Sequence, residues 1–193
     1  MGRRGLRRCS LDGGAGATEI SGPISAAFGS CASFVIDRLE GGSALITDTD
    51  GETRWGISKR AHPDVDPSTL TRLGALAIYH DRYWRVIHGD LLPRGLDLAI
   101  YDLAVNQGPS QAVRTLQRVL RIAEDGIMGP LTLKAAKAYR PQSELRAQVN
   151  ELRLRSYEAI AQARPATHAK YLFGWRMRVM RLADEAGRVG GQA

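Results

Sequence analysis

Apolar residues recur at helical spacing along most of the chain, and the places where that rhythm breaks divide it into elements. From Ser33 the positions Phe34, Val35, Ile36 and Leu39 predict a helix with one apolar face, stopped by Glu40-Gly41-Gly42. Residues 43–58 lose the helical period and contain Asp50-Gly51 between short polar runs, which predicts a β-hairpin or tight loop. Pro67-Ser68-Thr69-Leu70 then opens a predicted helix to about Trp84, with Leu73, Leu76 and Tyr83 in step. Pro93 and Gly95 interrupt it, and a strongly amphipathic helix is predicted over 96–107, with Leu96, Ala99, Ile100 and Leu103 as its stripe. Further helices are expected over 110–120, 131–139, about 143–163 and about 167–188. The last carries Leu172, Trp175, Val179 and Leu182 at coiled-coil-like spacing. Seven or so helices with one stretch of strand character give a mainly α fold with a small β element.

Composition changes this picture only at the margins. With 193 residues and 44% apolar content the chain is long enough for a real core. No run approaches roughly 18 apolar residues, so no stable membrane insertion is expected. The formal net charge is +7, but Arg3, Arg4, Arg7 and Arg8 supply four of the positive charges, so the folded body is only mildly basic. Such a balance suits polyanions in general. No basic helix with interleaved aromatics and no zinc-finger spacing is present, so nucleic acid is not an expected partner. Cys9 and Cys31 do not suggest a disulfide framework, and the scattered His62, His80, His88 and His168 do not suggest a metal site. Residues 1–28 are basic, then rich in Gly, Ala and Ser. They lack the apolar stretch of a secretion signal and read as a flexible tail, so synthesis in the cytoplasm is expected, with action at the wall after release.

The candidate chemistry begins at Glu40. A carboxylate in the last turn of a helix faces unsatisfied carbonyls, and this field raises its pKa, as does any burial. A carboxyl group kept protonated near neutral pH is what acid-catalysed glycosidic cleavage needs. A surface glutamate ahead of a glycine cap would look the same. The following loop carries Asp48, Asp50, Glu52 and Thr53, which are suited to sit across a sugar ring from the acid and equally suited to a hydrophilic turn. On the 96–107 helix Asp102 and Asn106 are four apart and share a face, flanked by Tyr101 and Gln107; these polar groups suit N-acetyl and hydroxyl recognition, or simple helix capping. Trp55, Tyr79, Tyr83 and Trp84 are candidates for sugar stacking or for the core.

Glu40-Gly41-Gly42 followed by Thr53-Arg54-Trp55-Gly56-Ile57-Ser58 resembles the opening of glycoside hydrolase family 108, lysozyme-like N-acetylmuramidases of phages and bacteria. The likeness continues through Tyr79-His80-Asp81-Arg82-Tyr83-Trp84 and through Ile100-Tyr101-Asp102-Leu103-Ala104-Val105-Asn106-Gln107-Gly108. It extends to Leu116-Gln117, to Asp125-Gly126-Ile127-Met128-Gly129-Pro130-Leu131-Thr132 and to Gly174-Trp175-Arg176-Met177-Arg178. It covers about residues 31–183, with the motifs in order. Ser43 stands where the family usually has an aromatic residue, the loop after Glu40 is one residue shorter, and Gln107 replaces the usual Asn or His.

The resemblance implies a lysozyme-like α+β fold with a hairpin after the catalytic helix. It also implies a tail (1–28), a catalytic region (29–108), a helical peptidoglycan-binding region packed on it (109–188) and a short tail (189–193). It implies an endolysin-type muramidase cleaving the β-1,4 bond between N-acetylmuramic acid and N-acetylglucosamine. Glu40 would be the acid, Asp48 or Asp50 the second carboxylate and Thr53 a holder of water. Trp55, Tyr101, Asp102 and Asn106 would bind substrate. No cofactor is called for, peptidoglycan is the expected partner, and a monomer is expected. A carboxyl separation of roughly 6.5–9.5 Å would favour inversion and about 5–5.5 Å retention. A lytic transglycosylase and a non-catalytic wall-binding or secretion-activator protein are the competing readings.

Overall fold

The computed structural model describes residues 24–40, 42–48 and 51–191; the basic N-terminal stretch and Asp50 lie outside the described residues, as does the side chain of Asp48. Helix α1 (Ala26–Phe34) starts well ahead of Ser33, because Ser25 caps it by accepting the Phe28 amide at 3.0 Å and because Phe28, Cys31 and Ala32 belong to the core. It runs on into a π-helical turn, Val35–Leu39, closed by the Glu40 amide on the Val35 carbonyl at 3.0 Å. Such an inserted residue re-aims whatever follows it, and here that residue is Glu40.

Residues 43–58 hold a three-stranded antiparallel sheet: β1 (Ile46–Asp48), β2 (Gly51–Arg54) and β3 (Ile57–Ser58), in the order β1-β2-β3. Arg54 pairs with Ile57, so Trp55 and Gly56 alone make the second turn. Both have positive φ, 54° and 74°, as a two-residue hairpin turn of type I′ requires. Helix α2 (Arg72–Tyr79) begins at its Thr71 cap, later than Pro67, and continues as a second π-helical segment, His80–Trp84.

Helix α3 (Leu96–Gln107) has the expected bounds but a different environment. Every residue from Leu96 to Ala104 is buried, so it is a central helix wrapped on all sides rather than an amphipathic one. It packs against α4 (Pro109–Leu120), α6 (Gln142–Ala163) and α8 (Leu172–Gly190). Between them lies α5 (Pro130–Ala138), and α7 (Pro165–His168) with a 3-10 turn, Ala169–Tyr171, breaks the last expected helix in two. Along α8 only Val179 and Leu182 of the four coiled-coil-like positions are fully buried.

One continuous core joins α1, α2, α3, α4 and α6. Its densest part is aromatic. Trp84 meets Tyr101 edge-on at 5.4 Å, Phe28 lies 5.6 Å from Trp84 and 6.1 Å from Tyr101, and Tyr79 lies 6.4 Å from Tyr101. Contacts of this kind add about 0.5–1.5 kcal/mol each beyond area burial. They fix α1 and α2 on α3, and so fix the end of α1 from which Glu40 projects. Among the described residues no helix is long and apolar enough to cross a membrane.

Candidate active site

Glu40 terminates the π-helical turn after α1 with its side chain 17% exposed. Three other elements converge on it. The Trp55-Gly56 turn passes directly across its carboxyl group: a Cβ on Gly56 would stand 2.7 Å from Glu40 Oε2 and 2.5 Å from the Tyr79 hydroxyl. Only glycine meets both demands of this position, the positive φ and the close approach. The turn is tied down by the Tyr79 hydroxyl donating to the Trp55 carbonyl at 3.0 Å and by the Trp55 amide on the Gly42 carbonyl at 3.2 Å. Arg54 adds bonds to the carbonyls of Ser43, at 3.1 Å, and Ser68, at 3.0 Å. The Thr53-Arg54-Trp55-Gly56 motif is therefore the clasp that closes the hairpin over Glu40.

On the other side stands a cluster of buried charges. Arg178 Nη2 on α8 donates to Glu40 Oε1 at 2.5 Å and to Asp102 Oδ1 at 2.6 Å. Arg153 Nη2 on α6 lies 2.6 Å from Asp102 Oδ2, and neither of these two side chains is exposed. Arg153 Nε donates to the Tyr157 hydroxyl at 2.8 Å, which in turn donates to Asn106 Oδ1 at 2.5 Å. Burying charge is costly unless it is paired, and the alternation Glu40, Arg178, Asp102, Arg153 pairs every member.

The electrostatics follow from burial and neighbours. Removal from water pushes the Glu40 carboxyl above the usual range; Arg178 pulls it back, but incompletely. Burial likewise pushes Asp102 up, yet Arg153 and Arg178 together hold it below the ordinary carboxylate value. Two carboxyl groups in one cluster are thus driven apart, one towards the proton donor and one towards the permanent anion.

The structure brings together some of the sequence candidates and separates others. Thr53 sits in β2, partly buried, with Ile46 and Ser58 as Cα partners; Asp48 ends β1. Trp55 is partly buried in the clasp. Asn106 is exposed at the end of α3. Tyr101 and Asp102 have no exposed surface, because α3 is central, so neither offers a side chain to a sugar. Tyr101 belongs to the aromatic core, and Asp102 faces two arginines. Tyr79 and Trp84 are core residues as well, whereas Tyr83 is partly exposed and bonds His62 through its hydroxyl at 3.0 Å. Among the described residues no three His, Cys, Asp or Glu side chains are grouped as metal ligands, and Cys31 is a buried free thiol.

Two members of the cluster escape a motif-by-motif reading. Arg178 lies in the Gly174-Trp175-Arg176-Met177-Arg178 motif, but nothing local marks it as facing Glu40. Arg153 has a sequence signal: Leu145, Val149, Arg153, Tyr157 and Ala161 recur every four residues on the buried face of α6, and an arginine inside an apolar stripe demands a buried anion.

Beside Arg178 opens a groove of about 440 Å³ between the end of α1 and α8. Arg38, Leu39, Asn106, Phe173, Trp175 and Arg181 line it, with Phe173 74% exposed. Trp175 stacks on Tyr157 at 4.9 Å and lies 6.0 Å from Tyr171, which makes an aromatic shelf at the groove. Further along, the Asp125–Thr132 turn is organised by the buried Gln117. Its amide nitrogen donates to Asp125 Oδ1 at 2.6 Å, the Ile127 carbonyl at 3.1 Å and Thr132 Oγ1 at 3.1 Å, while its oxygen accepts the Gly126 amide at 2.9 Å. Ile127 and Leu131 are left facing solvent.

Comparison with known proteins agrees with this architecture. Residues 34–108 match the Glycosyl hydrolase 108 family, and residues 111–180 match a Predicted Peptidoglycan domain. The solved structure of Brucella abortus SagA is similar, with a TM-score of 0.73 and 28% sequence identity over 84% of this chain and 95% of that one. No curated protein matches significantly. The mainly α, lysozyme-like fold with its small sheet is that of a glycoside hydrolase joined to a peptidoglycan domain. Residues 34–108 thus resemble a glycosyl hydrolase 108 region and residues 111–180 a peptidoglycan domain, and together they support a glycoside hydrolase with a lysozyme-like, peptidoglycan-directed role.

Proposed function

We propose that the chain is an N-acetylmuramidase, cleaving the β-1,4 bond between N-acetylmuramic acid and N-acetylglucosamine with Glu40 as general acid, in the manner of an endolysin. The observation that carries this is the environment of Glu40: a carboxyl group at a helix end, nearly shut off from water under the Trp55-Gly56 turn, with its pKa raised by burial. Glu40 gives its proton to the leaving oxygen as the sugar approaches an oxocarbenium ion. Asp48 or Asp50 stabilises that cation or activates water, and Thr53 holds the water. Trp55 and Asn106 contact sugar at the rim, while Tyr101 and Asp102 support the site from beneath. Residues 29–108 carry the chemistry and 109–188 hold the wall polymer. The chain works as a monomer on peptidoglycan.

The test is the mass and the reducing end of the released muropeptides. Muramidase action adds one water and leaves muramic acid at the reducing end, which borohydride converts to the alditol. A product lighter by one water, with no reducible end, identifies a lytic transglycosylase instead. A reducible glucosamine end shows that the other glycosidic bond is cut. Sedimentation with the wall but no soluble product leaves the binding or secretion-accessory reading in its place.

A further inference from the structure

Arg178 stands between two carboxyl groups and serves them unequally. Its Nη2 is shared between Glu40 and Asp102, whereas its Nε faces Asp102 alone, at 3.0 and 3.2 Å from the two oxygens. Asp102 is independently held by Arg153. Water has little access: Arg178 is 12% exposed, and Asp102 and Arg153 not at all. In such a place a guanidinium touching a carboxyl group favours its ionised form, which a proton donor must not adopt before reaction. Asp102, on the same guanidinium, absorbs part of that charge and itself repels an ionised Glu40.

The groups that face Glu40 leave few other sources of charge. They are Arg178 from α8, Asp102 and Tyr101 from α3, Arg153 from α6, Tyr79 from α2 and Tyr83 from its π-helical extension. Burial keeps all three tyrosines protonated beyond the usual phenol range. Arg153 is engaged with Asp102 and Tyr157. From the sheet, the close approach to Glu40 is made by Gly56.

We propose that Arg178, delivered from the peptidoglycan-domain half of the chain, is a positioning residue that sets the pH range in which Glu40 donates its proton, with Asp102 as its counterweight. The hydrolase half is then incomplete without α8. This rests on Glu40 being the general acid.

The experiment is the pH profile of kcat/KM on soluble peptidoglycan fragments, using the full chain. Loss of activity on the alkaline side reports deprotonation of the acid. Arg178→Gln removes the cation, so that limb moves up by about 1 pH unit or more. Asp102→Asn removes the counterweight, so it moves down. Arg178→Lys retains the charge and keeps the limb near its original place. A merely structural role lowers kcat in all three without opposite displacements. Because Asp102→Asn is buried and threatens folding, the decisive pair is Arg178→Gln against Arg178→Lys. It is backed by a carbon-13 NMR titration of the Glu40 carboxyl carbon in wild type and Arg178→Gln. An upward move in both readouts supports the proposal. An unchanged limb and an unchanged titration in folded Arg178→Gln overturn it. If Glu40→Gln remains active while the titration still moves, the coupling stands and the assignment of the acid has failed.

Discussion

Gly56 offers the cleanest quantitative test of how the site is built, because Gly42 supplies its control. Both have positive φ, 74° and 73°. A Cβ on Gly42 meets nothing within 4 Å, whereas on Gly56 it would overlap the Tyr79 hydroxyl at 2.5 Å and Glu40 Cβ and Oε2 at 2.7 Å. Alanine at either position incurs the left-handed backbone cost of about 1–2 kcal/mol. Gly56→Ala adds overpacking of about 1–3 kcal/mol, since neither a buried phenol nor the Glu40 stem is free to withdraw. The expected losses are thus about 1–2 kcal/mol for Gly42→Ala and about 2–5 kcal/mol for Gly56→Ala. At roughly 2–4 °C per kcal/mol for a chain of this size, the melting temperatures should fall by about 2–8 and 4–20 °C. Activity separates them further. A displacement of Glu40 by about 1 Å is worth roughly 100-fold in rate, so folded Gly56→Ala should lose about that factor on peptidoglycan while Gly42→Ala keeps most of its activity. Calorimetry and a turbidity assay on the same samples provide the measurement. Equal melting temperatures together with full activity in Gly56→Ala would refute the close approach on which the site rests.

Other expectations follow from the same geometry. Arg153→Met leaves Asp102 with half its compensation in a fully buried place and should cost about 3–5 kcal/mol in urea unfolding; a cost under about 1 kcal/mol would show that the pair is not buried as described. Glu40→Gln should melt above wild type at neutral pH. The folded pKa of Glu40 is raised, so its contribution to stability is complete below the unfolded value and is lost as pH rises through the folded one. The advantage of the amide should therefore shrink in acid, and a constant difference across pH would contradict the raised pKa. Asp102 has the opposite sign: its depressed pKa contributes stability above the ordinary carboxylate value that is lost as pH falls through the folded one, so acid unfolding should begin near or below pH 4. Gln117→Leu removes the four bonds that organise the Asp125–Thr132 turn and should lose about 2 kcal/mol or more. Hydrogen exchange at the Gly126 and Ile127 amides should quicken and the pH profile of hydrolysis should stay unchanged; a shifted profile would mean that this turn reaches the site.

How much of this was legible in the sequence depends on the range of the forces involved. The helix over Leu96–Gln107 and the strand character of residues 43–58 are local, set by periodicity and turn residues, and both stand in the structure. The start of α1 is hard to place from sequence because its signals, Ser25 and Phe28, sit beside a Gly- and Ala-rich stretch that hides them. The all-round burial of α3 is hidden for a different reason. Asp97 and Asp102 look like solvent-facing positions until their arginines are known, and those lie 3 residues away for Asp97 but on α6 and α8 for Asp102. The motif Thr53-Arg54-Trp55-Gly56 was visible, but its purpose, a turn too tight for any side chain against Glu40, needs the third dimension. Tyr101 and Asp102, expected to bind substrate, are fully buried instead, one in the aromatic core and the other between two arginines.

Whether Glu40 carries the chemistry is decided by loss of turbidity of purified peptidoglycan. Wild type and Glu40→Gln are compared at equal concentration, both shown to be folded by circular dichroism. Wild type should clear the suspension, and the folded Glu40→Gln chain should not. Clearing by both at similar rates would contradict that role for Glu40.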